Sequence, residues 1–162
     1  MTKLVVHPNQ SLRIDITDKD NFEMEIVLHE YSNLVIIAFW DLHVKKIQGA
    51  LNIIHRGVYS VSSCICKTVL ENNSSIDLKG SVIVEKTALG SQANLQFQQL
   101  VLDDSCTVKT KPQLWIYQDN AHCKHGSSTT GITSENVFYF NSRGLDKEQA
   151  RVHIKTAFLK TF

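Results

Sequence analysis

Between residues 11 and 118 one short apolar run follows another, and no helical pattern separates them. "LRIDITD" (12–18) sets Leu12, Ile14 and Ile16 against Arg13, Asp15 and Thr17, the period of two that makes a half-buried strand. "FEMEIVLHE" (22–30) alternates in the same way through Phe22, Met24, Ile26 and Leu28. "NLVIIAFW" (33–40) is continuously apolar, which predicts a strand covered on both sides. Further runs follow to Gln118, divided by Asn, Gly, Asp and Ser. Strands this dense, with no helices between them, fold as a sandwich, a barrel or a stacked solenoid. Asn-Gly and Asp-Gly, the dipeptides of tight hairpins, are absent, which favours coils that wind onward. No clean sequence repeat marks such coils. Pro112, directly before "QLWIY", is expected at the start of a strand, where its missing N–H costs least.

A second regime begins near Thr133. "TSENVFYFNSRG" predicts a short helix capped by Thr133, with Ser134 and Glu135 in its first turn and Gly144 at C′. "LDKEQARVHIKTAFLKTF" predicts a second helix, with Asp146 at the N-cap and Gln149 at N3 forming a capping box. Ala150, Ile154, Ala157 and Phe158 recur at helical spacing as one buried stripe. The expected organisation is a β core over residues 1–130 and a helical segment over 131–162.

The chain's 162 residues suit one domain that buries about two-thirds of its unfolded surface. Lys and Arg number 17 against 16 Asp and Glu, and Lys45-Lys46 is the only adjacent basic pair. Neither nucleic acid nor an anionic membrane is an expected partner. The apolar core of "MTKLVVHPNQSL" is too short for a signal peptide, and "LVIIAFW" is too short to span a bilayer. Cys64, Cys66, Cys106 and Cys123 are therefore expected as reduced thiols in a cytoplasmic setting.

The densest chemistry lies in "HCKHGSSTTG" (122–131). On a strand, Cys123 and His125 share a face while His122 points the other way. That supplies two of the three or four ligands a tetrahedral zinc needs; the other pair, Cys64 and Cys66, reaches it only if adjacent coils align them. Buried, half-hydrophobic cysteines are the commoner outcome. A Cys123–His125 nucleophile–base pair lacks any evident thiolate-favouring neighbour. "GSSTTG" lacks the Gly-Lys-Ser/Thr ending of a phosphate loop and is expected to be a polar strand-to-helix connection. The helical hairpin also invites a helix-turn-helix reading, against which the neutral charge and the apolar stripe both count.

From Lys111 to Phe158 the sequence resembles the C-terminal signature of the SufB/SufD family of iron–sulfur cluster assembly proteins. Lys111, Pro112, Leu114, Ile116, Asp119, Cys123, His125 and Gly126 fit its "KPxLxIxxDxxxCxHG" segment in register. Phe138, Tyr139, Ser142, Arg143, Gly144 and Ala150 fit the "FYxxSRGxxxxxA" segment without a gap. The resemblance implies a right-handed parallel β-helix (solenoid) with a C-terminal helical hairpin. It implies a non-enzymatic scaffold subunit that pairs with itself or a SufB/SufD-like paralogue through its β-helix edge. It further implies that the C-terminal helices dock a SufC-like ATPase, with Phe138, Tyr139, Arg143, Gly144, Glu148 and Arg151 as docking candidates. His125, with Cys123 beside it, becomes the candidate for holding iron or a nascent cluster in transit, with no permanently bound cofactor. The "CxHG" segment leans to the SufD side and Thr129-Thr130 to the SufB side, so the paralogue stays open. The rival reading is a degenerate β-solenoid kept as a structural or regulatory adaptor without iron chemistry.

Overall fold

The structure, a computed structural model, describes residues 1–17, 19–43 and 45–160. Among these residues ten strands alternate between two five-stranded sheets. Sheet A joins β1 (Thr2–Val6), β3 (Asn21–Leu28), β5 (Lys46–His55), β7 (Ser75–Val84) and β9 (Thr107–Ile116) in that order. Sheet B joins β2 (Ser11–Ile16), β4 (Asn33–His43), β6 (Val61–Glu71), β8 (Gln92–Val101) and β10 (His122–Gly131). Every pairing is parallel, so the chain never reverses on itself but passes from sheet to sheet as a β-solenoid. The missing tight-hairpin dipeptides agree with this, for no β-hairpin is built among the described residues.

Period-two alternation makes the core. Ile36, Cys64 and Leu95 form one interior row of sheet B, and Ala38, Cys66 and Phe97 the next. Met24, Leu51 and Gly80 face them from sheet A, followed by Ile26, Ile53 and Val82. Large and small residues interlock between the sheets. A Cβ on Gly80 would stand 2.6 Å from the Phe97 ring, so the bare glycine makes room for that phenyl.

The turns from odd to even strands repeat a single device. Asn9, Tyr31, Tyr59 and Gly90 each take a positive φ, between 51° and 69°. Their N–H groups bond to the next coil's turn, Tyr31 to Val58 O at 2.9 Å and Tyr59 to Leu89 O at 2.8 Å. After Tyr31, Tyr59 and Gly90 the next residue is a buried serine, Ser32, Ser60 and Ser91, which gives these three turns a polar inner lining.

Some expectations change. "NLVIIAFW" lies inside β4, but only Leu34, Ile36, Ala38 and Trp40 are buried; Phe39 on the outer side is 37% exposed. The outer face of sheet B is covered only in part, so an apolar run need not mean two buried faces. Pro112 sits within β9, opposite Gly80, rather than at a strand start. It is tolerated there because β9 pairs on one side only, and an edge strand has ladder bonds it need not make. "GSSTTG" belongs wholly to β10, paired residue by residue with Gln96–Val101. The ready-made edge of β8 supplies backbone partners that small polar residues take up without needing a core of their own.

Two helices follow β10 among the described residues. In α1 (Ser134–Asn141) the Thr133 hydroxyl accepts from Asn136 N–H at 3.2 Å, and the Asn136 amide oxygen accepts from Thr133 N–H at 3.1 Å. The helix ends at Ser142, so Gly144, with φ +81°, stands two residues beyond the cap rather than at C′. In α2 (Lys147–Lys160), Asp146 and Gln149 cap one another reciprocally at 2.8 and 2.9 Å, as their spacing predicts. Its expected stripe is narrower than the sequence suggests. Ala150 is buried, Ile154 and Phe158 are half-buried, and Ala157 is exposed because the helix meets the sheet along one edge. No helix among the described residues is long and apolar enough to cross a membrane.

Candidate functional site

The last coil, β9 and β10, is one of the two open ends of the solenoid among the described residues; β1 and β2 form the other. β9 and β10 each pair with one neighbour, β7 and β8 respectively, which leaves two ten-residue edges with unused backbone donors and acceptors. The interior of this last coil differs from the coils behind it. Thr110 takes the register position of Leu78, and its hydroxyl lies 2.6 Å from that of Ser127 across the gap between the sheets.

Cys123 and His125 occupy interior-facing register positions of β10. Cys123 pairs with Ala93 and is half-buried; His125 pairs with the fully buried Leu95, yet is itself exposed because no coil follows it among the described residues. His122 and Lys124 fall on the outer face. Burial pushes the Cys123 thiol above its usual range, against a lowering contribution from the Ala93 backbone. It is thus a protonated thiol rather than an activated nucleophile.

The four-ligand zinc arrangement is not assembled. Cys64 lies on the same interior row as His125, but Leu95 stands between them; Cys66 is likewise separated from Ser127 by Phe97. Two strand spacings, about 9.6 Å, divide the pairs. Cys64 and Cys66 instead approach each other, Sγ to Sγ at 3.8 Å, fully enclosed by the core. The hydrogen bond between them, and then burial, holds the Cys64 thiol well above its ordinary value.

The docking candidates lie on the helical hairpin. Phe138 is 73% and Tyr139 51% exposed on α1, close in chain to Arg143, whose guanidinium stacks 4.5 Å above the Tyr139 ring. Gly144 and Glu148 are exposed, whereas Arg151 is turned toward the solenoid. Phe140 stacks on His153 of α2 at 6.0 Å and so joins the two helices. Val152, 62% exposed, adds to the apolar surface of the hairpin.

Two polar groups escape sequence reasoning. His55 is buried at the end of β5, its Nδ1 2.8 Å from Ser60 Oγ and its Nε2 2.8 Å from Ser62 Oγ. The second is Asp41, His43 and Glu71, whose ligand-type atoms lie within 4.8 Å of one another. Lys155 reaches both of the carboxylates, so this group is first of all an ion-pair cluster.

Comparison with known proteins places this geometry. The family model described as "SUF system FeS cluster assembly, SufBD core domain" matches residues 31–158, from the second solenoid coil through both helices. The chain belongs to the SufBD family. An iron–sulfur cluster assembly SufBD family protein of Staphylococcus epidermidis (strain ATCC 12228) is 28% identical over 126 residues, 78% of this chain and 27% of that protein. A Staphylococcus haemolyticus relative of the same description is 28% identical over 109 residues, 67% of this chain and 23% of its own. This SufBD chain thus spans about a quarter of the length of the curated relatives it matches. The matched region holds the open coil with Cys123 and His125 and the exposed aromatic pair on α1.

Proposed function

We propose that this SufBD chain is a non-catalytic scaffold subunit of SUF-type iron–sulfur cluster assembly. It pairs through the open β9–β10 end of its β-solenoid with a copy of itself or a paralogue, and binds a SufC-like ATPase through the α1–α2 hairpin. The observation that carries this reading is the family match running continuously through the open coil and the hairpin. Two unpaired strand edges suit recognition by strand addition. Solvent-facing Phe138 and Tyr139 suit burial against another protein, since aromatic side chains in an exposed cluster are the usual anchors of interfaces. His125 at the open end offers an imidazole to iron or a nascent cluster as cargo.

The docking half is tested by measuring capture of a SufC-like ATPase by the purified chain. The Phe138→Ala, Tyr139→Ala double variant is expected to weaken binding at least tenfold, about 1.4 kcal/mol, with unchanged circular dichroism. Equal capture by wild type and variant, or no capture under any nucleotide condition, would refute it.

A further inference from the structure

Helix α2 meets the solenoid through a set of charged contacts as well as apolar ones. Lys155 Nζ lies 2.7 Å from Asp41 Oδ1 and 3.4 Å from Glu71 Oε1. Arg151 is 4.0 Å from the other oxygen of Glu71 and donates to the Leu102 carbonyl at 3.3 Å. Near the C-terminal end, Lys67 Nζ from β6 donates to the Phe158 carbonyl at 2.8 Å and sits 5.2 Å from its ring. The sheet's own lysine therefore caps the helix where the macrodipole is negative.

Beneath the helix lies a surface that strand alternation assigns to the outside. Val69 and Leu100 are register partners on the outer face of sheet B, yet they are 0% and 2% exposed, and Lys67 is 3% exposed. The attachments of α2 at Asp41, Glu71, Leu102 and Lys67 surround this patch, so the helix is what shields it. On the helix side Ala150 is the one fully buried residue, with Ile154, Phe158 and Leu159 half-buried. None of the sheet B ladder bonds passes through α2. The backbone pairing of sheet B therefore does not run through the helix.

We propose that α2 is a reversible strap: an ionic clasp of Asp41 and Glu71 on Lys155 and Arg151 seats it, and its release uncovers the Lys67–Val69–Leu100 face of sheet B without unfolding the solenoid. The clasp lies at the surface, with side chains 13–35% exposed, so salt weakens it while leaving the apolar core intact. Such an element opens locally at far lower cost than the strands it covers. This device is separate from the Phe138–Tyr139 docking surface and does not depend on it.

Hydrogen exchange followed by mass spectrometry on the full chain tests the strap. In the Asp41→Asn, Glu71→Gln double variant, amides of 147–160 are expected to exchange at least tenfold faster while β4, β6 and β8 keep wild-type protection. Raising salt should move wild type in the same direction. Should the double variant fail to fold, Lys155→Met removes the clasp from the helix side and is expected to give the same selective opening. Unchanged exchange of 147–160 in the folded variants, or opening of α2 only in step with the strands, overturns the proposal.

Discussion

Gly57→Ala is expected to be among the most damaging single substitutions in this chain, lowering the free energy of unfolding by about 3 kcal/mol or more. The reason is space. A Cβ at residue 57 would overlap the backbone of His29 and Glu30 in the preceding turn. Backbone cannot rotate aside as a side chain can, so the turns between coils must part. Gly57 is also a hydrogen-bond hub, for its N–H donates to Leu28 O at 3.1 Å and its carbonyl accepts from Ser60 Oγ at 2.9 Å. Gly144→Ala is the contrasting case. Nothing lies within 4 Å of its Cβ, and only the φ of +81° resists substitution, so the expected loss is about 1 kcal/mol. Urea unfolding of the two variants beside wild type checks the ranking; a Gly57→Ala midpoint at or above that of Gly144→Ala contradicts it.

The second large effect is acid sensitivity centred on His55. Burial lowers its pKa from 6.5 to about 4, only partly offset by a hydrogen bond to the Ser60 backbone. Ser60 Oγ donates to Gly57 O, so it accepts from His55 Nδ1–H, while Nε2 accepts from Ser62 Oγ; the ring is a neutral bridge inside the turn. The unfolded chain takes up a proton below pH 6.5 and the folded chain resists it until about pH 4. Folding stability therefore falls as pH drops through that window, by roughly 3 kcal/mol in all. Asp103 acts lower down. The Ser105 hydroxyl, and then the Asn72 N–H at 2.8 Å, hold its carboxyl near 2, so its contribution persists above the usual carboxylate range and is lost only in stronger acid. His55→Gln is expected to be less stable at pH 7 and to show a flatter stability profile between pH 6.5 and 4. A variant profile parallel to wild type would place the acid sensitivity elsewhere.

The strands were legible because alternation is local: Leu12–Ile16 and Phe22–Leu28 carry their inner faces in plain view. The second half of β10, Gly126–Gly131, was not, since its pairing comes from the edge of β8 thirty residues earlier rather than from hydrophobic periodicity of its own. A subtler signal did exist for the coils. Tyr31-Ser32, Tyr59-Ser60 and Gly90-Ser91 fall 28 and then 31 positions apart, each a left-handed residue followed by a buried serine. It escapes a search for similar residues because Tyr and Gly share a backbone conformation there rather than a chemistry. For the candidate site, the shared face of Cys123 and His125 follows from spacing, but the exposure of His125 depends on where the last coil stands. The clasp had no signal at all. Asp41 and Lys155 are brought together only by three intervening coils and a helix.

The scaffold reading meets its most direct test in anaerobic incubation of the purified chain with ferrous iron and sulfide, with a SufC-like ATPase present, followed by measurement of bound iron and visible absorption. Wild type is expected to retain iron and a cluster-type chromophore, and His125→Ala to retain about tenfold less iron at equal folding. Equally poor loading of wild type and His125→Ala would contradict the account and leave a solenoid adaptor without iron chemistry.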